Sequence, residues 1–273
     1  MTEPNRERIA LARRLAAALA ALPGVRAVAL GGSVATGAAD GGSDIDLYCY
    51  GDRIPAVEER RALVRDLGAA PGAEVGNSFF EPGDEWRDAG SGVAVDVMYR
   101  LCPWAEDRLD AVLRRHEASL GYSTALWHNI RTARPLADAG GWLAALRARA
   151  EGPYPKGLAR AVVALNWGML AETANRWPVQ LEGALGRSDA VAAGHRTTAM
   201  LASWFDVLFA LNRRTHPGEK RLLRLAAETC PLRPEGWEDD VRALLAAAGR
   251  CDPAASEHAA RLVDGLRPLV AGR

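Results

Sequence analysis

Lysine is nearly missing from the chain: Lys156 and Lys220 are the only two among 34 basic residues, so the positive charge is almost all arginine. Acidic residues also number 34, and the net charge is +0. That balance supplies no basic face for a long nucleic acid or an anionic membrane, although it leaves room for a local basic pocket. The four cysteines (Cys49, Cys102, Cys230 and Cys251) stand far apart, with no CxxC pair and no histidine at zinc-ligand spacing. This excludes a zinc finger and speaks against a disulfide framework. No run approaches the ~20 apolar residues that a membrane span needs. Arg13-Arg14 followed by Leu15 to Leu22 has the outward look of a signal peptide. We read it instead as an amphipathic first helix ended by Pro23-Gly24, because cleavage there would strip the apolar strand of what precedes it. The expectation is a cytoplasmic, reduced protein.

What is present divides the chain in two. Residues 5 to 22 carry Leu, Ile and Ala at helical spacing. Val25 to Leu30, Ile45 to Tyr50, Ala73 to Phe80 and Val93 to Arg100 read as strands. Residues 56 to 68 read as a charged helix, and Glu81 to Gly92 as a polar loop. After Cys102-Pro103 the segments 104–118, 122–133, 140–150, 156–176, 188–214, 218–229, 236–249 and 255–269 all read as helices broken by Pro and Gly. The predicted class is α+β: a mixed β-sheet flanked by helices over residues 1–103, then an all-α helical bundle over 104–273.

The segment that carries chemistry is Gly31-Gly32-Ser33-Val34-Ala35-Thr36-Gly37, followed by Asp40-Gly41-Gly42-Ser43-Asp44-Ile45-Asp46-Leu47. A strand enters two glycines and a serine and then turns into a short helix. Glycines let a phosphate approach the backbone, and Ser33 adds a hydroxyl donor there. A P-loop is excluded, because Ala38-Ala39 stand where Lys and Ser/Thr must be; the dinucleotide fingerprint fails at Ser33. Asp44 and Asp46 fall on one face of a strand, about 6–7 Å apart, while Ile45 and Leu47 face the core. Hard oxygen pairs of this kind suit magnesium. Asp96, alone among apolar residues in Val93 to Tyr99, must be paired, hydrogen-bonded or metal-bound to be tolerated there.

The order strand, Gly-Gly-Ser, helix, Asp-x-Asp, strand, Asp resembles the nucleotidyltransferases related to DNA polymerase beta, over about residues 25 to 100. The helical remainder resembles, more loosely, the C-terminal domain of antibiotic nucleotidyltransferases such as the kanamycin, streptomycin/spectinomycin and lincosamide enzymes. The resemblance implies two Mg²⁺ ions held by Asp44, Asp46 and Asp96, with ATP or another NTP as co-substrate. It implies a nucleotide-binding set of Gly31, Gly32, Ser33 and Ser43, and Asp96 as ligand or base. The implied reaction passes a nucleotidyl group to a hydroxyl of a small-molecule acceptor, an antibiotic being one candidate. A protein side chain, an RNA end and a catalytically silent nucleotide-binding module are the alternatives. In the helical part, Asn212 to Arg221 is the densest polar cluster. Lys220 with Arg213 or Arg214 there reads either as a phosphate-facing group or as a solvated turn with cationic caps. Asp84, Glu85 and Trp86 read as loop residues able to border an acceptor site.

Overall fold

The alternation that marks β5 (Ala94–Leu101) also explains the sheet: Val95, Val97 and Tyr99 are buried, while Ala94, Asp96 and Met98 are half-buried. The computed structural model describes residues 3–37, 39–79 and 81–272, the first two of them by backbone alone. Ala38, and Phe80 at the end of an expected strand, lie outside the described residues. The other strands are β1 (Val25–Leu30), β2 (Ile45–Gly51), β3 (Glu74–Asn77), β4 (Gly83–Arg87) and β6 (Arg134–Ala137). They form one mixed sheet in the order β3-β4-β5-β2-β1-β6, in which β2 and β5 run parallel and the other neighbours antiparallel. The helices flanking it are α1 (Glu3–Ala20), the short α2 (Gly32–Thr36) and α3 (Val57–Asp66); after β5 come α4 (Cys102–Leu113) and α5 (Ala125–Thr132).

By contacts the chain divides into two units, Met1–Leu109 with Asn129–Gly152, and Asp110–His128 with Pro153–Arg273. This partition differs from a boundary after residue 103 in giving residues 104–109 and 129–152 to the first unit, the latter because β6 pairs with β1. The expected class, a mixed sheet flanked by helices and then an all-helical part, is what the chain adopts.

In the first unit the two faces of the sheet do different work. Ile45, Leu47 and Cys49 of β2, Val95, Val97 and Tyr99 of β5, Trp86 of β4 and Val28 and Leu30 of β1 form the core with Ile9, Leu15 and Leu19 of α1 and Val64 of α3. The opposite face carries Asp46, Tyr48 and Tyr50 beside Asp96, Met98 and Arg100, in parallel register. Near its end Trp142 packs on Tyr50, ring centroids 5.2 Å apart, and its indole N–H donates to Glu106 at 2.6 Å. Trp142 opens α6 (Trp142–Ala150).

Two strands were not expected. Residues 83–87, read as loop, are β4. Only Trp86 is apolar there, and the other inward position is Asp84, fully buried. Asp84 is tolerated because Arg60 (2.9 Å), the Gly76 N–H (2.8 Å) and the Tyr99 hydroxyl (2.8 Å) all donate to it. β6 is short and carries Pro135, which an edge strand accommodates without losing a ladder bond.

The second unit is all-helical among the described residues. It holds α7 (Lys156–Trp167), α8 (Trp177–Gly186), α9 (Ala190–Leu211), α10 (Leu222–Thr229), α11 (Trp237–Ala248) and α12 (Ala254–Ala271). The helix expected over 156–176 ends at Trp167 and continues as one wider π-turn, Gly168–Glu172. α8 was missed: Pro178 reads as a breaker, but it stands in the first turn, where its lacking N–H has no partner to lose. α9 is buried on all sides from Met200 to Leu211 and forms the centre of the core. Trp204 stacks on Trp237 at 5.5 Å and donates to the Leu262 carbonyl at 2.8 Å. Among the described residues no helix is long and apolar enough to cross a membrane.

Two buried titratable groups sit in this unit with opposed tendencies. Burial pushes the Asp206 carboxyl up to about 6, against hydrogen bonds from Ser123 and Asn166. Burial, with the charge of His128, pushes His216 down to about 4. His216 Nδ1 accepts the Gly218 N–H at 3.1 Å, so the neutral ring carries its proton on Nε2. The unfolded chain binds a proton at His216 more readily than the folded chain, so this group withdraws stability as pH falls from about 6.5 toward 4. Asp206 does the reverse, adding stability as pH falls below about 6. We predict that His216→Gln loses less melting temperature than the parent between pH 7 and about 4.5, and Asp206→Asn more. Parallel melting curves for all three proteins would contradict the assignment.

Candidate functional site

β1 delivers the chain to Gly31, whose N–H donates to the Asp46 carbonyl at 2.8 Å. That bond fixes the glycine turn above Asp46. Gly32 follows with φ +60, the left-handed region that favours glycine, and a β-carbon built on it would overlap Asp46 Oδ2. Position 32 therefore needs glycine twice over, for the backbone and for the carboxylate beside it. α2 starts there and ends at Gly37, also left-handed at φ +77. The Ser33 side chain is half-buried, and its hydroxyl makes no hydrogen bond among the described residues.

The approach to β2 is a tight turn. Asp40 Oδ1 accepts from the Ser43 hydroxyl (2.9 Å) and the Gly42 N–H (3.1 Å), and Ser43 Oγ in turn accepts from the Asp40 N–H (2.9 Å). Arg8 of α1, almost fully buried, donates to the carbonyls of Ser43 (2.9 Å) and Gly41 (2.7 Å). The side chain of Ser43 thus serves the turn that presents Asp44, which is half-buried just ahead of β2.

Asp46 and Asp96 stand directly opposite each other on parallel neighbours, on the same face, with strand axes about 4.8 Å apart. The row continues outward, because Glu85 is opposite Asp96 and Glu74 is opposite Glu85. Four neighbouring strands therefore carry a line of carboxylates, two half-buried and two exposed. Like charges set opposite one another weaken a sheet unless positive charge joins them. A cleft of about 410 Å³ runs beside this row, lined by Asp44, Glu74, Glu85, Arg87 and Asp96 among others. Glu74 was not foreseen as a site residue, and Glu85 was expected only as a loop residue able to border an acceptor site. The parity of Gly83, Glu85 and Arg87 would have put Glu85 on the Asp96 face had residues 83–87 been read as a strand. Trp86 and Asp84 point the other way, into the core. Of the three residues read as able to border an acceptor site, Glu85 and Trp86 are among those lining this cleft and Asp84 is not.

A further layer lies beneath the turn. Tyr48, two residues on from Asp46, is buried, and burial raises its hydroxyl above the ordinary range; the charge of Arg100 opposes this and that of Asp46 adds to it. Arg213 and Lys220 belong to the second unit, on the connection between α9 and α10, with Arg213 half-buried and Lys220 exposed. Asn212, at the head of that connection, bonds the Leu208 and Leu232 carbonyls.

Among the described residues no three His, Cys, Asp or Glu side chains form a ready-made ion cage. Magnesium does not ask for one. It keeps waters and binds through one or two carboxylates together with substrate phosphates. The opposed Asp46 and Asp96, with Asp44 lining the same cleft as Asp96, supply hard oxygens of the required kind, and the missing β-carbon of Gly32 leaves Asp46 room beside the turn.

Residues 12–99, which hold the glycine turn, Asp44, Asp46, Asp96 and the row of carboxylates, match the family described as "Nucleotidyltransferase domain". The N-terminal part of the chain is a nucleotidyltransferase domain. The match supports, for these residues, the resemblance to the nucleotidyltransferases related to DNA polymerase beta. Residues 124–222 match a second family, described as "Domain of unknown function (DUF4037)". No curated protein matches the chain. Among solved structures, the chain is similar to the nucleotidyltransferase-like protein from Exiguobacterium sibiricum 255-15, at 10% identity and a TM-score of 0.42, over 96% of this chain and 74% of that one.

The nucleotidyltransferase turn offers its own control. Gly32→Ala and Gly37→Ala each place a β-carbon at positive φ, a cost of about 1–2 kcal/mol. Only the first also displaces a carboxylate, since among the described residues nothing beyond its chain neighbours lies within 4 Å of a β-carbon at Gly37. Gly32→Ala should lose at least as much stability as Gly37→Ala, and it alone weakens Mn²⁺ binding, read by paramagnetic resonance in the presence of ATP, by about tenfold. Equal manganese affinity in the two variants would contradict the role given to Gly32.

Proposed function

We propose that the chain transfers a nucleoside monophosphate, AMP from ATP as first choice, to a hydroxyl of a small-molecule acceptor and releases pyrophosphate. The observation that carries this reading is the register of Asp46 against Asp96 under a glycine turn cut away to fit Asp46. In this reading Asp44, Asp46 and Asp96 hold divalent ions, and the hydroxyl of Ser33 donates to a phosphate oxygen. Magnesium, when bound, screens the triphosphate and stabilises the entering and leaving oxygens. The acceptor oxygen forms its bond to the α-phosphorus as the bond to pyrophosphate breaks. A carboxylate oxygen of Asp96 is placed either to complete the ligand set or to accept the proton that the hydroxyl gives up. The Gly31-Gly32 backbone and Ser43 act through the shape of the turn. Arg213 and Lys220, on the connection between α9 and α10, are proposed as cations able to bind phosphate.

The acidic cleft supports a cationic acceptor. Glu74 and Glu85 extend the row away from Asp46, and a polycation such as an aminoglycoside would meet complementary charge there. This favours the antibiotic-type acceptor over an RNA end, whose phosphates would be repelled by the same carboxylates. The four cysteines are free thiols, which suits a reducing cytoplasm supplied with nucleotide.

Each NTP with Mg²⁺ is to be incubated against an acceptor panel that spans amino sugars, neutral polyols, protein and RNA, and pyrophosphate release followed. The reading predicts release with an amino-sugar or related hydroxylated acceptor. It further predicts that Asp46→Asn lowers turnover by at least about 10³-fold with its melting temperature within a few degrees of the parent's. Intact NTP binding with no release under any condition would favour the silent module, and nucleotide label on protein would favour the side-chain acceptor.

A further inference from the structure

β2 meets the glycine turn at two places. Asp46 lies against Gly32, and two residues on, Tyr48 lies against Gly31. A β-carbon built on Gly31 would stand 2.5 Å from Tyr48 Cε2, 2.7 Å from Cζ and 2.9 Å from the hydroxyl oxygen. Gly31 has φ −107, a backbone that any residue adopts, so it is the tyrosine ring that demands glycine there. The ring is itself held: the Arg100 guanidinium stands over its face, 4.4 Å from the centroid. Arg100 is fixed by a fork to Glu81, with Nε to Oε2 at 2.6 Å and Nη2 to Oε1 at 2.9 Å. Trp104 lies on its flank, 5.6 Å away.

A buried arginine is an expensive way to fill space. Arg100 is 6% exposed, and among the described residues its Nη1 makes no hydrogen bond. A well-packed apolar side chain would serve stability as well or better. The planar fork gives what an apolar residue cannot, which is a fixed direction of approach to an aromatic face. That direction is passed through Tyr48 to the Cα of Gly31.

We propose that Tyr48 and Arg100 are positioning residues for the nucleotide: the ring, pinned by the Arg100–Glu81 pair, sets the height of the Gly31-Gly32-Ser33 turn over Asp46 and so its fit to the triphosphate. The inference rests on the nucleotidyl-transfer reading. It assigns these residues to phosphate binding and gives them no part in bond making. Neither side chain touches the nucleotide, so the ring matters and its hydroxyl does not.

The test compares Tyr48→Phe, Tyr48→Val, Arg100→Met and Arg100→Lys in the full chain. Calorimetry with Mg²⁺ measures binding of ATP, inorganic triphosphate and adenosine, and a thermal melt accompanies each variant. Tyr48→Phe should bind ATP and triphosphate within about twofold of the parent. Tyr48→Val and Arg100→Met should bind both about tenfold more weakly, the change expected when hydrogen bonds to a charged group are misplaced. Adenosine affinity should stay unchanged throughout. If Arg100→Met does not fold, Arg100→Lys, which keeps the charge and loses the fork, should reproduce the loss. Tyr48→Phe as weak as Tyr48→Val would make the hydroxyl a direct ligand and overturn the proposal, as would parent-like binding by Tyr48→Val and the arginine variants. A parent chain that binds neither ATP nor triphosphate would instead remove the nucleotidyl-transfer reading, and this inference with it.

Discussion

A carboxylate and a peptide turn cannot normally occupy the space that Asp46 and Gly32 share. The overlap that any β-carbon at position 32 would make with Asp46 Oδ2 is relieved only by glycine, and the positive φ of the same residue asks for glycine again. Much of the rest follows from that contact. The turn closes onto Asp46 through the Gly31 N–H, α2 begins at once, and Asp46 is left facing Asp96 across the β2–β5 pair. Asp44 then lines the same cleft as Asp96.

Parity divides labour in that unit. On β4, Asp84 and Glu85 are adjacent acids with opposite fates. Asp84 faces the core, where Arg60, Tyr99 and a backbone N–H neutralise it. Glu85 faces the cleft beside Asp96. The strand direction is fixed by the buried partner network, and the exposed acid is carried to its place by the same pairing. A one-residue slip of β4 would exchange the two and remove both functions. Arg8 plays a similar part at the other end, holding the Asp40–Ser43 turn to α1 through two backbone carbonyls.

The glycine turn and the Asp-x-Asp strand were legible because local rules write them: paired glycines, a serine, and period-two acids beside Ile45 and Leu47. Asp96 was legible because an acid among apolar neighbours demands a reason. β4 was not, since its inward residue is an acid whose acceptability depends on Arg60, 24 positions away. With the strand went the row of carboxylates, in which Glu85, read only as a loop residue, stands opposite Asp96. β6 escaped because four residues containing a proline have no readable period, and its place comes from β1. Tyr48 and Arg100 looked like ordinary strand residues; only the fold puts the guanidinium over the ring and the ring on Gly31. In the second unit, Asp206 and His216 gain their altered proton affinities from burial, which no spacing announces.

The central claim is that Asp46 and Asp96, brought into register beside Gly32, hold a divalent cation together with a nucleotide's phosphates. Crystals grown with Mn²⁺ and a non-hydrolysable ATP analogue, and measured for the anomalous signal of manganese, test it directly. The account predicts a manganese peak about 2.1–2.2 Å from carboxylate oxygens of Asp46 and at least one of Asp44 and Asp96, bridged to phosphate oxygens. A nucleotide bound with manganese elsewhere, or with the Asp46–Asp96 pair left without metal, would contradict it.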